Sequence, residues 1–127
     1  MQDKTSMLTE AEWQIMEYLW EHGPATGRQA TEYIEEQTGW NRSTTLTLLG
    51  RLEAKGAVSA SKENGKKVFI PVLKHDAARL KEAESFLKRV YKGSLSMMVS
   101  SLTEKQALTQ EEIDELYELL KGCQDHQ

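Results

Sequence analysis

The stretch NRSTTLTLLGRLEAKG, residues 41–56, combines a serine, three threonines and two arginines with helical apolar spacing, and it holds no carboxylate before Glu53. At about 100° per residue, Thr45, Leu48, Leu49 and Leu52 gather on one side, which must face a core. The opposite side holds Ser43, Leu46, Thr47, Gly50 and Ala54, with Thr44 and Arg51 at its edge. An exposed helix ordinarily carries Glu and Lys, whereas this one carries Thr and Gly, which are weak helix formers. Local stability is given up for another use. Small side chains admit a helix closely into the major groove of duplex DNA, and hydroxyls bond phosphates or base edges. An apolar side chain such as Leu46 touches a thymine methyl. The competing reading, on these residues alone, is that the face packs against another protein element.

The net charge of −4 does not by itself favour a polyanion as partner. Its distribution does. Residues 1–39 carry two basic and eight acidic side chains, residues 40–74 seven basic and two acidic, and residues 75–127 seven basic and ten acidic. A basic island therefore lies between acidic flanks, and polyanion contact depends on local rather than net charge. A chance cluster on a solvated face is the alternative.

Other chemistries find little support. His22, His75 and His126 lack metal-ligand spacing and read as surface residues. Cys123 stands alone, without a second thiol for a disulfide or a metal. There is no Gly-rich phosphate loop, and Glu35-Glu36 and Glu111-Glu112 look like helix surface or cap rather than paired catalytic acids. Neither catalysis nor a cofactor or metal is expected. No apolar run approaches the roughly 20 residues that span a bilayer, and the N-terminus lacks the pattern of a signal peptide, so a cytoplasmic location is expected.

The elements that must position the 41–56 face follow from local signals. Thr9 with Glu12 is a capping box ahead of Trp13, Ile15, Met16, Leu19 and Trp20, which predicts a helix over about 10–21. The segment HGPATGRQ breaks it, and Thr26 with Gln29 caps a second helix that carries Ala30, Tyr33 and Ile34 and ends at Gly39. Asn41 or Ser43 caps the third, which stops at Gly56. Asn64-Gly65 then predicts a hairpin, because a type I′ turn needs positive φ at both central residues. Helix-turn-helix followed by a hairpin with Lys62, Lys66 and Lys67 around its tip is the order of a winged helix-turn-helix. Arg42, Arg51 and these lysines would then be phosphate contacts. A solvated edge strand protected by lysine is the other reading of the tip. A winged helix used for protein contact or for RNA is the competing function, but it would want exposed aromatics on the basic face. The candidates there, Trp40 and Phe69, look more like core.

Three more amphipathic helices follow. Ala77, Leu80, Ala83, Phe86, Leu87, Val90 and Tyr91 mark the first and Leu95, Met98, Val99 and Leu102 the second. A capping box at Thr109 and Glu112 leads into Ile113, Leu116, Tyr117 and Leu120. Their faces need covering, either by a partner chain through a two-fold interface or by packing onto the first helix. The sequence is thus mainly α with a small β-hairpin wing. A winged-helix DNA-binding domain is expected over 1–74 and a helical dimerisation region over 75–127, with the boundary between Lys74 and Asp76.

Three stretches, LTEAEWQIMEYLWEHGPAT, WNRSTTLTLLGRLEAKGAV and YKGSLSMMVSSLTEKQALTQEEIDELYELLKG, together resemble the penicillinase-repressor (BlaI/MecI/CopY) family of bacterial transcriptional repressors from about Leu8 to Gly122. The resemblance implies a homodimer whose winged helices bind a dyad operator and whose C-terminal helices interlock. It carries the family's recognition-helix contacts onto Thr44, Thr47 and Arg51. Members often have a basic residue where this chain has Ser43 or Leu46, which implies a different half-site. In the β-lactam branch a regulatory protease system leads to cleavage at an Asn-Phe bond, which would fall at Ser101-Leu102; neither residue matches. In the copper branch paired Cys-x-Cys motifs bind metal, and Cys123 alone does not supply them.

Overall fold

The computed structural model describes residues 8–124; His126 lies outside them. The elements run α1 (Glu10–His22), β1 (Ala25–Thr26), α2 (Gly27–Thr38), α3 (Arg42–Lys55), β2 (Val58–Glu63), β3 (Lys66–Pro71), α4 (His75–Tyr91), α5 (Leu95–Glu104) and α6 (Gln110–Gln124). Contacts divide the chain into two compact units, one ending at Ala83 and the other beginning at Glu84.

In the first unit each helix starts where its cap dictates. The Thr9 hydroxyl accepts from the Glu12 N–H and the Glu12 carboxylate from the Thr9 N–H; Thr26 and Gln29 repeat the arrangement on α2. Asn41 Oδ1 accepts from the Thr44 N–H at 2.9 Å and caps α3. That helix ends at Gly56, whose φ of 85° is left-handed. Its buried residues are Thr45, Leu48, Leu49 and Leu52, the set its periodicity requires. They meet Ile15, Met16 and Leu19 of α1 and Ala30 and Ile34 of α2 in one core. Fully burying an aliphatic side chain of this size contributes about 1.5–3 kcal/mol.

The β2–β3 hairpin turns at Asn64 and Gly65, with φ of 54° and 77°, as a type I′ turn requires. A third strand, β1, is an addition to the expected hairpin. It pairs antiparallel with β3 through Ala25 opposite Phe69 and Thr26 opposite Val68, giving the order β1-β3-β2. The same Thr26 caps α2, so the start of α2 is tied to the wing. Three helices and this small sheet make a winged helix.

Charged and aromatic groups close the unit. Glu12 is buried and pairs with Lys55, joining the start of α1 to the end of α3. Burial pushes the Glu12 carboxyl up, but hydrogen bonds from Lys55 and the Thr9 N–H, with the Lys55 charge, outweigh it and hold the group below its ordinary 4.5. Burial, with Tyr33 beside it, pushes the Tyr18 phenol above its ordinary 10.0. Trp20 Nε1 donates to the Leu73 carbonyl at 2.8 Å, and its ring stacks on His75 at 4.4 Å between centroids. Leu73 and Ala78 are buried in this core, which is why the first turns of α4 belong to the winged helix. Helix α4 begins where the domain boundary was expected, and the compact units divide about eight residues further on, inside it.

The second unit comprises the end of α4, α5 and α6. Lys92 and Gly93, both at positive φ, terminate α4. Ser94 caps α5 through the Met97 N–H, and Thr109 with Glu112 forms the expected capping box on α6. No residue from 84 to 123 is buried. Among the described residues no helix is long and apolar enough to cross a membrane.

Candidate nucleic-acid interface

Helix α3 lies with its four buried residues inward, so Arg42, Ser43, Thr44, Leu46, Thr47, Gly50 and Arg51 all stand exposed. From Arg42 to Gly50 the helix holds no carboxylate. Asn41 supplies the cap that a charged Asp would otherwise provide, so even the N-terminus carries no negative side chain.

Two depressions flank this face. The larger, about 630 Å³ and open to solvent, runs between the start of α2, the outer side of α3 and strand β3. Arg42, Leu46, Gly50, Lys66 and Lys67 of the expected site line it, together with Arg28, Glu53 and Phe69. The shallower one is lined by Arg42, Ser43, Leu46 and Thr47. Thr44 and Arg51 lie on the exposed helix outside both, and Lys62 sits across the hairpin from Lys67 on the neighbouring strand. Phe69, buried, floors the larger groove rather than offering a stacking platform, and Trp40 is half-buried against the core.

The charges divide into free and held. Lys67 pairs with Glu53 at 3.3 Å and lies over the Phe69 ring at 5.2 Å. Arg28 pairs with Glu32 at 3.1 Å. Among the described residues Arg42, Arg51, Lys62 and Lys66 make no ion pair, so their charges face solvent unneutralised. Surface pairs of the held kind are weak, roughly 0–1 kcal/mol, so a phosphate readily replaces the carboxylate partner of Lys67 or Arg28. A face of hydroxyls with a rim of cations can bind a polyanion and present small groups to its grooves.

Arg28 and Glu53 are the residues that sequence reasoning missed. Arg28 lies in the acidic N-terminal region of the chain, and the pairing of β1 with β3 brings it to the groove. The end of α3 carries Glu53 past the reading face, where it holds a wing lysine. Among the described residues no group of three or more His, Cys, Asp or Glu side chains gathers as a metal site. His22 is exposed, and His75 is occupied by its stack on Trp20.

A family model described as penicillinase repressor matches residues 8–122. The methicillin resistance regulatory protein MecI of Staphylococcus aureus (strain N315) is 32% identical over 120 residues, covering 94% of this chain and 98% of that protein. The penicillinase repressor of Bacillus licheniformis is 31% identical over 118 residues, covering 93% and 92%. The solution structure of the DNA-binding domain of the repressor BlaI matches with a TM-score of 0.54 at 25% identity, over 61% of this chain and 93% of that one.

Proposed function

The chain belongs to the penicillinase repressor family, and on that premise we propose that this DNA-binding transcriptional repressor works as a homodimer on a two-fold operator. The observation that carries the proposal is the carboxylate-free outer face of α3, bordered by a groove whose far wall is the lysine-bearing wing. Arg42, Arg51, Lys62, Lys66 and Lys67 contact phosphates and set the register of the protein on the duplex. Ser43, Thr44, Leu46, Thr47 and Gly50 face base edges. The protein acts by binding and not by catalysis, in the cytoplasm, where the DNA is.

The second copy is what the C-terminal unit binds. Phe86, Leu87, Val90 and Tyr91 on α4, Leu95, Met98, Val99 and Leu102 on α5, and Ile113, Leu116, Tyr117 and Leu120 on α6 supply the apolar faces. None of these residues is buried within one chain. One recognition helix reads only a few base pairs; two, related by a dyad, multiply the discrimination. Release of the operator follows an inducing signal, and proteolysis within residues 94–104 is one route to it. Within one chain helix α5 has no buried residue, so only the second copy would oppose the local unfolding that a protease needs. A repressor that stays full length in induced cells would exclude that route.

The test is fluorescence anisotropy of the purified chain against its own upstream region and a scrambled duplex, titrated over salt. The proposal expects saturation at two chains per duplex, tighter binding to the native sequence and a salt slope of about −0.9 per phosphate contacted. Equal weak binding to both duplexes, or one chain per duplex, would overturn it.

A further inference from the structure

We propose that Leu46 reads a thymine through its C5 methyl group and that Gly27 positions Leu46 to do so; this rests on the duplex-DNA reading above. Leu46 is the one large apolar side chain exposed on α3, at 36%, on a face that otherwise presents hydroxyls, a glycine, an alanine and guanidinium groups. It lines both depressions, standing between the groove toward the wing and the shallower one beside Ser43 and Thr47. Such a side chain neither donates nor accepts a hydrogen bond. In the major groove the one apolar group that a base pair offers it is the thymine methyl.

Its direction is set from a different helix. A Cβ built on Gly27 would lie 3.3 Å from Leu46 Cδ2 and 3.7 Å from Phe69 Cε2, so one methyl of Leu46 is seated over the bare backbone of Gly27. Gly27 is the first residue of α2 and is not among the residues at positive φ, so the backbone does not demand a glycine there. What the glycine supplies is room. The first turn of α2 is held by the Thr26–Gln29 capping box and by the pairing of Thr26 with Val68 on β3. Against a wall fixed in this way, an added methyl would displace the leucine and not the helix. Leu46 therefore leans on α2 with one branch of its side chain and offers the rest to the duplex at a fixed height.

The experiment begins by selecting duplexes from a randomised library with the full-length chain. Each thymine of the recovered sequence is then replaced, one at a time, by deoxyuridine, which removes only the methyl. We expect one position, with its symmetry mate, where the replacement weakens wild-type binding about fourfold, the worth of one buried methyl. Leu46→Ala should bind the thymine and uracil duplexes equally. Gly27→Ala should unfold no more easily than wild type and keep its salt slope, yet reduce the ratio to about twofold or less. A purely structural role for Gly27 would weaken all duplexes alike and leave the ratio intact, which would remove Gly27 from the proposal. Thymine positions that all tolerate uracil, or discrimination that survives Leu46→Ala, would overturn the Leu46 assignment while tight binding to the selected duplex leaves the DNA reading standing. Recovery of no duplex at all would overturn both.

Discussion

Ile15, Met16, Leu19, Leu49 and Leu52 of the winged-helix unit have no solvent exposure, whereas Tyr117 and Leu119 of the C-terminal unit are 61% and 68% exposed. The contrast does not come from weaker patterning. Helix α5 packs Leu95, Met97, Met98, Val99 and Leu102 into ten residues, an apolar density that α2 does not approach, yet it buries none of them within one chain. Amphipathicity fixes what a helix has to cover. It does not say whether the cover is the same chain or another, and only the first unit carries enough converging faces to close on itself.

With the homodimer proposed above, the difference would give two kinds of stability, one independent of protein concentration and one that rises with it. The largest expected effect is in the closed core: Leu49→Ala should cost about 2–5 kcal/mol in urea unfolding, by the same amount at every protein concentration. A cost that varied with concentration would mean that this core is completed by the second copy. Next, changing Leu116 and Leu120 together to Glu should give monomers in sedimentation and lower operator affinity by about a hundredfold or more, while the winged helix stays folded by near-ultraviolet circular dichroism. A dimer that survives this change would move the interface elsewhere and dissolve the contrast.

A smaller effect sharpens the comparison inside the first unit. Glu12→Gln keeps the capping box but loses the charge facing Lys55, and should cost about 1–2 kcal/mol at neutral pH. The folded Glu12 carboxyl lies below its ordinary 4.5, so its contribution is present above that value and is lost as the pH falls through the folded one. The gap between wild type and Glu12→Gln should therefore close in acid, and a gap that stays constant would assign the loss to packing. The smallest effect concerns Thr45, fully buried, whose Oγ1 has no hydrogen-bond partner among the described residues. Thr45→Val should stabilise by up to about 1 kcal/mol and leave DNA affinity unchanged. Weakened DNA binding would show that the buried face of α3 also serves recognition.

What could be read without coordinates was what neighbours in sequence decide. Thr9 with Glu12, Thr26 with Gln29, Asn41, Thr109 with Glu112 and the Asn64-Gly65 turn all act within four residues, and all stand where their chemistry put them. The inward side of α3 was legible for the same reason, since one helix fixes its own period. Strand β1 was not. Two residues carry no alternation, and their partners Val68 and Phe69 lie more than forty positions away. With β1 went Arg28, because nothing near it in sequence marks it as belonging to a basic groove. On α4 the periodicity set Ala77 on the apolar face, while the core takes Ala78. Alanine is small enough to lie on either side of a helix, and Leu80, which shares the expected face with Ala77, is 61% exposed.

The two faces of α3 share almost no residues. Thr45, Leu48, Leu49 and Leu52 hold the fold, and the residues between them touch little of the protein except where Leu46 meets Gly27. A scaffold built this way can be rewritten. Sequence preference can drift, or be engineered, by exchanging Ser43, Thr44, Thr47 or Gly50 without repacking the interior, and the Leu46–Gly27 pair is the one place where a new preference must be inherited as two changes at once.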